Sequence, residues 1–262
     1  QNTISANGAN GVAITGSAHN NTVNNGFIGT NVPGFVPFGN AESGIYVGPC
    51  TSKNIIGSAD PSLVTLISAN GGEGIDIEGA STTVVGTLIG TDRTGTVPMG
   101  NAGNGVLINS SRNTIGSTVA SSGNTIAYNA LDGVFVASGS RNDIQKNSIF
   151  GNGGLGIELA SGANMNQAAP VLTSVQTGGL GVQVLGTLTS RPNTTFTVEF
   201  FANATSAPSG HVYLGFLKVK TNGAGVATFT SNHMIAPLNA NFVTATATDA
   251  NSNTSQFSNA VS

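Results

Sequence analysis

Charge is what this 262-residue chain has least of. Lys, Arg, Asp and Glu together make up 7% of it, against about 25% in an ordinary soluble protein. The eight basic residues are outnumbered by eleven acidic ones, and the net charge is −3. Proteins that bind nucleic acid neutralise its phosphates with clustered Lys and Arg, and no basic stripe occurs here. The composition therefore argues against a nucleic-acid partner.

Cysteine pairs and long apolar runs are missing as well. Cys50 is the only cysteine, so an intrachain disulfide is excluded. No run of about 18 apolar residues is present, and we expect no membrane span. Gln1 starts no signal peptide and lies inside a repeat. We therefore expect a processed or truncated product.

Glycine is abundant instead, with 37 residues, and it begins a motif in which two aliphatic residues flank one variable position. The copies of this motif lie at 11–15, 44–48, 74–78, 105–109, 133–137 and 156–160. A second motif lies at 21–23, 54–57, 83–86, 113–116 and 142–144, and a third at 2–7, 65–70, 124–129 and 147–152. Each period therefore holds three short β-branched runs that are separated by Asn and Gly.

Three strands and three corners per period predict a triangular coil. The runs are too short for helices and alternate with period two, and Gly and Asn tolerate the left-handed backbone of a sharp corner. About six coils, stacked about 4.8 Å apart, would form a rod near 30 Å long. The alternation turns one aliphatic set inward: Val12/Ile14, Ile45/Val47, Ile75/Ile77, Val106/Ile108, Val134/Val136 and Ile157/Leu159. We expect the corner asparagines to stack as hydrogen-bonded ladders.

Two periods carry an insertion at the same corner. One runs from Gly29-Thr30 to Gly39-Asn40, and the other from Gly90-Thr91 to Gly100-Asn101. Because equivalent positions in the two insertions are two coils apart, both loops should project from one edge of the rod.

The repeat elements resemble a known family. Gly-Val-Leu-Ile at 105–108, Asn-Thr-Ile at 113–115, Ile-Gly-Thr at 89–91 and Pro-Met-Gly-Asn at 98–101 are similar to those of right-handed parallel β-helix proteins of the pectate-lyase-like superfold. The resemblance covers about residues 1–165 and implies that fold. It does not decide function, because the superfold hosts lyases, glycosidases, adhesins and structural shafts.

The repeat stops before Ala168, and Ala169-Pro170 marks a linker. Alternating segments at 181–188, 195–201, 212–220, 226–230 and 241–248, separated by turn residues, predict an antiparallel β-sandwich. The segments at 194–201, 244–249 and 253–257 resemble the immunoglobulin-like modules that follow β-helices in large bacterial surface proteins. We therefore predict an all-β chain with two domains, a parallel β-helix at 1–167 and an immunoglobulin-like sandwich at 168–262.

One outward column of the rod is the candidate functional face: Ala13, Tyr46, Asp76, Leu107, Phe135 and Glu158. A second column holds Thr15, Gly48, Glu78, Asn109, Ala137 and Ala160. Asp76 and Glu78 share one face with Cα atoms about 6.6 Å apart. That spacing is compatible with a glycosidase carboxylate pair or a calcium site, and Glu73 and Asp92 are expected near it. Two carboxylates on an exposed strand more often serve solvation and edge protection.

Tyr46, Leu107 and Phe135 make an interrupted apolar stripe on the same face. Such a stripe usually has something packed against it. Either the sandwich or an insertion loop folds over it, or it is an interface for another molecule.

These patterns favour a non-catalytic extracellular or cell-surface protein with a structural or adhesive role. The first coil begins at Gln1 without a cap, so we expect head-to-tail assembly of like subunits into a filament or shaft. The alternatives are a polysaccharide lyase or glycosidase and a glycan-binding module on the outward face. No catalytic residue is assigned, and calcium at Asp76 and Glu78 is the only cofactor considered.

Overall fold

A parallel β-helix occupies the first part of the chain in the computed structural model, which describes residues 1–117, 122–178, 181–235, 237 and 241–262. Sheet A contains, in spatial order, β1 (Asn2–Ile4), β4 (Gly26–Ile28), β7 (Thr65–Ile67), β10 (Thr87–Ile89), β13 (Thr125–Ala127) and β16 (Ser148–Phe150). Sheet B contains β2 (Val12–Ile14), β5 (Ile45–Val47), β8 (Ile75–Ile77), β11 (Val106–Asn109), β14 (Val134–Ser138) and β17 (Ile157–Leu159). Sheet C contains β3 (Thr22–Val23), β6 (Ile55–Gly57), β9 (Thr83–Val85), β12 (Thr114–Gly116) and β15 (Asp143–Gln145).

The coils follow the predicted triangular plan. β2 to β16 form five complete three-stranded coils, with β1 of sheet A before them and β17 of sheet B after them. Aliphatic side chains fill the interior, as the alternation predicts, and the central ones are fully buried. Of the predicted inward set, only Val12 and Leu159, in the first and last strands of sheet B, are partly exposed. The prediction of a parallel β-helix is confirmed.

Asparagines at one corner form the expected ladder. In each step the side-chain amide of one Asn donates to the side-chain carbonyl of the Asn in the next coil, at 2.7–2.9 Å. The members are Asn7, Asn40, Asn70, Asn101, Asn129 and Asn152. The ladder joins all the coils through side chains, in addition to the backbone bonds of the sheets.

A second corner column is incomplete. It contains Asn21, Asn54, Thr82, Asn113, Asn142 and Asn164. Asn21 donates to Asn54 at 3.0 Å and Asn113 donates to Asn142 at 2.9 Å. Between these pairs stands Thr82, which has no side-chain amide. Asn54 Nδ2, directly below it, is buried and has no hydrogen-bond partner within the described residues.

The two insertions are stacked hairpins that fold back on sheet A. Asn31 Oδ1 accepts the backbone amides of Phe35 and Val36 in the first hairpin, and Asp92 organises the second in the same way. The Arg93 amide donates to the Gly34 carbonyl at 3.1 Å, which joins the two. The expectation that both insertions project from one edge is confirmed.

The hairpins cover apolar side chains that point outward from sheet A. Gly34 lies against Phe27 and Leu66, and Gly95 lies against Leu88. The guanidinium of Arg93 stands 5.5 Å from the centre of the Phe27 ring. Phe27 and Leu66 are consequently fully buried although they face away from the core of the coils.

The C-terminal module contains two antiparallel three-stranded sheets. Sheet D has the order β18 (Val171–Gly178), β19 (Gly181–Thr189) and β22 (Val226–Thr230), and sheet E the order β21 (Val212–Lys220), β20 (Thr195–Asn203) and β23 (Phe242–Thr248). A core that includes Leu172, Val184, Phe196 and Phe229 lies between them. The arrangement is that of a small β-sandwich, and β18 is a strand that the sequence pattern did not predict. A 3-10 segment at Ala163–Asn166 lies between β17 and β18.

The module closes the last coil of the rod. Phe201 and Phe257 belong to the same buried cluster as the interior isoleucines. Ile149 and Gly210 exchange two backbone hydrogen bonds of 2.8 Å. Thr254 Oγ1 accepts the amide of Ile144 at 2.9 Å. The coil interior is therefore continuous with the module. Within the described residues, no helix is long and apolar enough to cross a membrane.

Candidate functional site

The outward column of sheet B lies in the predicted order. The register of the parallel strands pairs Ala13 with Tyr46, Tyr46 with Asp76, Asp76 with Leu107, Leu107 with Phe135, and Phe135 with Glu158. The second predicted column is broken. A bulge after Ile108 pairs Asn109 with Ser138, so Ala137 has no place in that row.

The stripe of Tyr46, Leu107 and Phe135 is partly exposed. The hairpins lie on sheet A, and the module lies across the end of the last coil. The hairpins therefore make their contacts on sheet A, and the module makes its contacts at the last coil, away from this stripe on sheet B.

Tyr46 and Glu78 are joined across neighbouring coils. The Tyr46 hydroxyl donates to Glu78 Oε2 at 2.6 Å. This hydrogen bond is the main reason why the pKa of Tyr46 is raised to about 12, since losing the proton would place two negative charges side by side. Glu78 is thus already engaged within the protein.

Asp76 is the unusual carboxyl group of the face. Its pKa is raised to about 6, mostly by burial and then by the charges of Glu78 and Glu73. Asp76 Oδ1 is buried and has no partner in the described part of the chain. A group with this environment titrates near pH 6, and no described residue occupies the acceptor position at its Oδ1.

Glu73 and Asp132 form part of another column, at the same corner as the Asn7-to-Asn152 ladder and immediately before the strands of sheet B. Glu73 accepts the backbone amide of Asn104, and Asn104 Oδ1 accepts the amide of Asp132 at 2.8 Å. Asp132 Oδ1 in turn accepts the amide of Leu155 at 2.6 Å. These acids therefore continue the pattern of the ladders. Their position directly before the leading Gly of the first motif is the sequence signal that could have identified them.

Glu158 and Asp132 form a carboxyl pair at the end of the face. Their mutual hydrogen bond, with burial and the charge of Asp132, raises the pKa of Glu158. A hydrogen bond between two carboxyl groups requires a proton on one of them. Sequence spacing did not connect these two residues, because Asp132 reaches its partner from a corner.

Asp92 lies elsewhere, contrary to expectation. Its carboxylate accepts hydrogen bonds from Thr94, Thr96 and Val97 inside the second hairpin. These bonds lower its pKa despite burial. Its role is to shape the hairpin turn.

Taken together, the face is an anionic surface with an apolar stripe. It carries Glu73, Asp76, Glu78, Asp132 and Glu158, which are five of the eleven acidic residues of the chain. The six strands of sheet B, all within the described ranges, contain no Lys or Arg. The described residues also contain no group of three or more His, Cys, Asp or Glu side chains arranged to hold a metal ion. Calcium at Asp76 and Glu78 remains a prediction.

The chain was compared with known proteins. No protein-family model matches it, and no curated protein matches it significantly.

Proposed function

We propose that this protein is a non-catalytic extracellular structural or adhesive rod that associates with copies of itself. The proposal rests on exposed apolar side chains in the two stacked hairpins, which form one edge of the rod. In the hairpins, Val32, Phe35, Phe38 and Val97 are exposed by 69%, 49%, 53% and 52%. Large apolar side chains left exposed together in neighbouring hairpins mark an interaction site.

A second copy is the occupant best suited to this edge. The first hairpin, at 29–40, contains no charged residue. Like-charge repulsion between identical acidic chains is therefore absent where two first hairpins meet. The stacked hairpins are also held by Asn31, Asp92 and Arg93, so their exposed side chains stand on a fixed support.

The closed coil end bears on how a filament would be built. Because Phe201 and Phe257 fill that end, a head-to-tail filament has its joint at the module and not coil on coil. Contact through the hairpin edge would instead associate rods side by side.

The test is the mass and shape of the assembly as a function of concentration. Light scattering and negative-stain electron microscopy should show oligomers or fibres that grow with concentration. Phe35→Ser with Phe38→Ser should shift this growth to at least tenfold higher concentration. Leu131→Ser is the matched control, since Leu131 is similarly exposed (51%) but lies outside the hairpins. A wild-type monomer at every concentration would contradict the proposal.

A second candidate, a polysaccharide-active or glycan-binding face, is favoured by one observation. Asp76, with a pKa raised to about 6 and an acceptor oxygen that no described residue bonds, lies between Tyr46 and Leu107 on sheet B. Neutral and acidic polysaccharides should be incubated with the protein and with Asp76→Asn, and new chain ends counted. Cleavage by the wild type that Asp76→Asn abolishes would establish this function in place of the first.

A further inference from the structure

The junction between rod and module buries a carboxyl group that the candidate face and the hairpin edge do not involve. Glu199 lies on β20 and its side chain is 1% exposed. Its Oε2 accepts a hydrogen bond from the backbone amide of Lys146, at the corner between β15 and β16 of the rod, at 3.1 Å. Its Oε1 is buried and has no partner within the described residues. Glu199 is therefore a contact between the two parts of the chain that is only half satisfied.

The neighbouring strands of sheet E supply no hydrogen bond to Glu199 Oε1. Glu199 pairs with Phe216 of β21 on one side and with Thr246 of β23 on the other. Phe216 has no polar side-chain atom. The Thr246 hydroxyl is itself buried and makes no hydrogen bond in the described part of the chain. Two unmatched polar atoms thus lie next to each other in the sheet that packs on the rod.

The charged and titratable groups around Glu199 come from both parts. From the rod, Lys146 attracts its negative charge and Asp143 of β15 repels it. From β21, Tyr213 faces Glu199, and the Lys146 ammonium lies 5.7 Å from the Tyr213 ring. Further out, His211 stacks on Phe150 with ring centres 3.9 Å apart, and Lys218 bonds to Thr197 at 2.7 Å.

Burial raises the pKa of Glu199 by more than the positive charge of Lys146 lowers it. An ionised carboxylate loses its hydration here and regains one amide donor, whereas a protonated carboxyl group is neutral and has an O–H to donate. The pKa of Glu199 is accordingly raised to about 7, first by burial. Burial also raises the pKa of Asp143, whose Oδ1 is likewise unpartnered within the described residues.

We propose that the junction is a proton-dependent latch, in which the module closes tightly on the rod when Glu199 carries a proton and loosens when Glu199 ionises. The release concerns docking: of the module's side chains, Phe201, Phe257 and the partly buried Tyr213 pack in the rod's cluster, and the core between its own two sheets is a separate cluster that docking does not build. In an undocked module Glu199 is hydrated and has an ordinary pKa.

The raised pKa of Glu199 determines how docking of the module depends on pH. A carboxyl group with a higher pKa in the docked state stabilises docking fully below its ordinary value of 4.5. This contribution declines as the pH rises and is lost above about 7. The docking equilibrium should therefore weaken on the order of 100-fold between pH 5 and pH 8.

Hydrogen exchange measures this directly. The amides of Ile144, Lys146, Ile149 and Gly210 are bonded across the junction. After correction for the intrinsic pH dependence of exchange, their protection should fall about 100-fold between pH 5 and pH 8, while amides of β8 and β11 stay protected. Equal protection of the junction amides at the two pH values would overturn the proposal.

Two further measurements isolate Glu199. Glu199→Gln should remove the pH dependence, and Glu78→Gln, on the outward face of the rod, should retain it. If Glu199→Gln keeps the wild-type profile, another group controls the junction and the proposal is wrong. Should that variant fail to fold, the titration of the assigned Glu199 carboxyl carbon in wild-type protein decides by NMR. A midpoint well above 4.5 is expected, and an ordinary glutamate midpoint would overturn the latch.

Discussion

Two corner columns of the rod, one between sheets A and B and the other between sheets B and C, use the same residue type with different results. In the column from Asn7 to Asn152 each side-chain amide donates to the next asparagine. In the column from Asn21 to Asn164 the chain of donors stops at Thr82, and the buried Asn54 Nδ2 has no hydrogen-bond partner among the described residues. The comparison shows that a repeated buried polar group is satisfied by its own copies, so a single departure leaves the neighbouring copy unmatched.

The largest expected effect comes from breaking the complete column. Asn70 accepts from the backbone and side chain of Asn40 and donates to Asn101, all at buried positions. Asn70→Ala removes these bonds and leaves buried groups on both neighbours, which should cost about 3–5 kcal/mol. Urea denaturation measures the loss. Asn7→Ala, at the exposed end of the same column, is the control and should cost at most about 1 kcal/mol. Equal losses would show that the ladder does not stabilise through burial.

Completing the second column should restore the missing hydrogen bonds. Thr82→Asn supplies a carbonyl for Asn54 Nδ2 and an amide for Asn113 Oδ1, which already accepts the backbone amide of residue 82 at 2.9 Å. Relative to Thr82→Val we expect a gain of about 1–2 kcal/mol in the free energy of unfolding. Thr82→Val is the reference because both variants lose the 3.3 Å hydrogen bond from the Thr82 hydroxyl to the Gly79 carbonyl, and only the asparagine adds new ones. No gain over Thr82→Val would mean that the unmatched amide of Asn54 costs nothing.

The smallest expected effect concerns the outward face, where a buried polar atom without a partner should also destabilise the protein. Asp76 Oδ1 has no hydrogen-bond partner in the described part of the chain, and the pKa of Asp76 is raised to about 6. Ionisation of this group therefore opposes folding, and its contribution to stability is lost as the pH rises from about 3.8 through about 6. Asp76→Asn should stabilise the protein at pH 8 by about 1 kcal/mol, after allowance for partial exposure, and should have no effect near pH 3.

Thermal unfolding across this pH range checks the prediction. Asp60 is the matched control. Hydrogen bonds from Ser62 lower its pKa, so ionisation of Asp60 favours folding, whereas ionisation of Asp76 opposes it. A gain for Asp60→Asn equal to that for Asp76→Asn would point to net charge as the cause and not to burial of Asp76.

Much of the rod could be predicted because its order is periodic. The position of Ile75 and Ile77 in the core, the stacking of Asn70 on Asn101, and the outward place of Tyr46 and Asp76 all follow from an alternation of two within a repeat. The burial of Phe27 did not follow, because it depends on how the hairpin folds back, and that is set by the local hydrogen bonds of Asn31.

The candidate face and the junction show the same limit. The bond between Tyr46 and Glu78 runs diagonally between coils, and the pairing of Asp132 with Glu158 joins a corner to a strand. The contacts of Glu199 and Phe257 with the rod link positions far apart in sequence without any repeat to announce them. Periodicity predicts what repeats, and these interactions occur once.

The closure of the last coil by Phe201 and Phe257 has a consequence for how such a protein changes length over generations. Each inner coil meets coils of the same three-stranded plan above and below, so duplication of a gene segment that encodes one coil adds a coil with like neighbours on both sides. Every such insertion lengthens the reach by about 4.8 Å, while the terminus that bears the module keeps the same contacts. The length of the rod can therefore change in steps of one coil, while the end that carries the module stays the same.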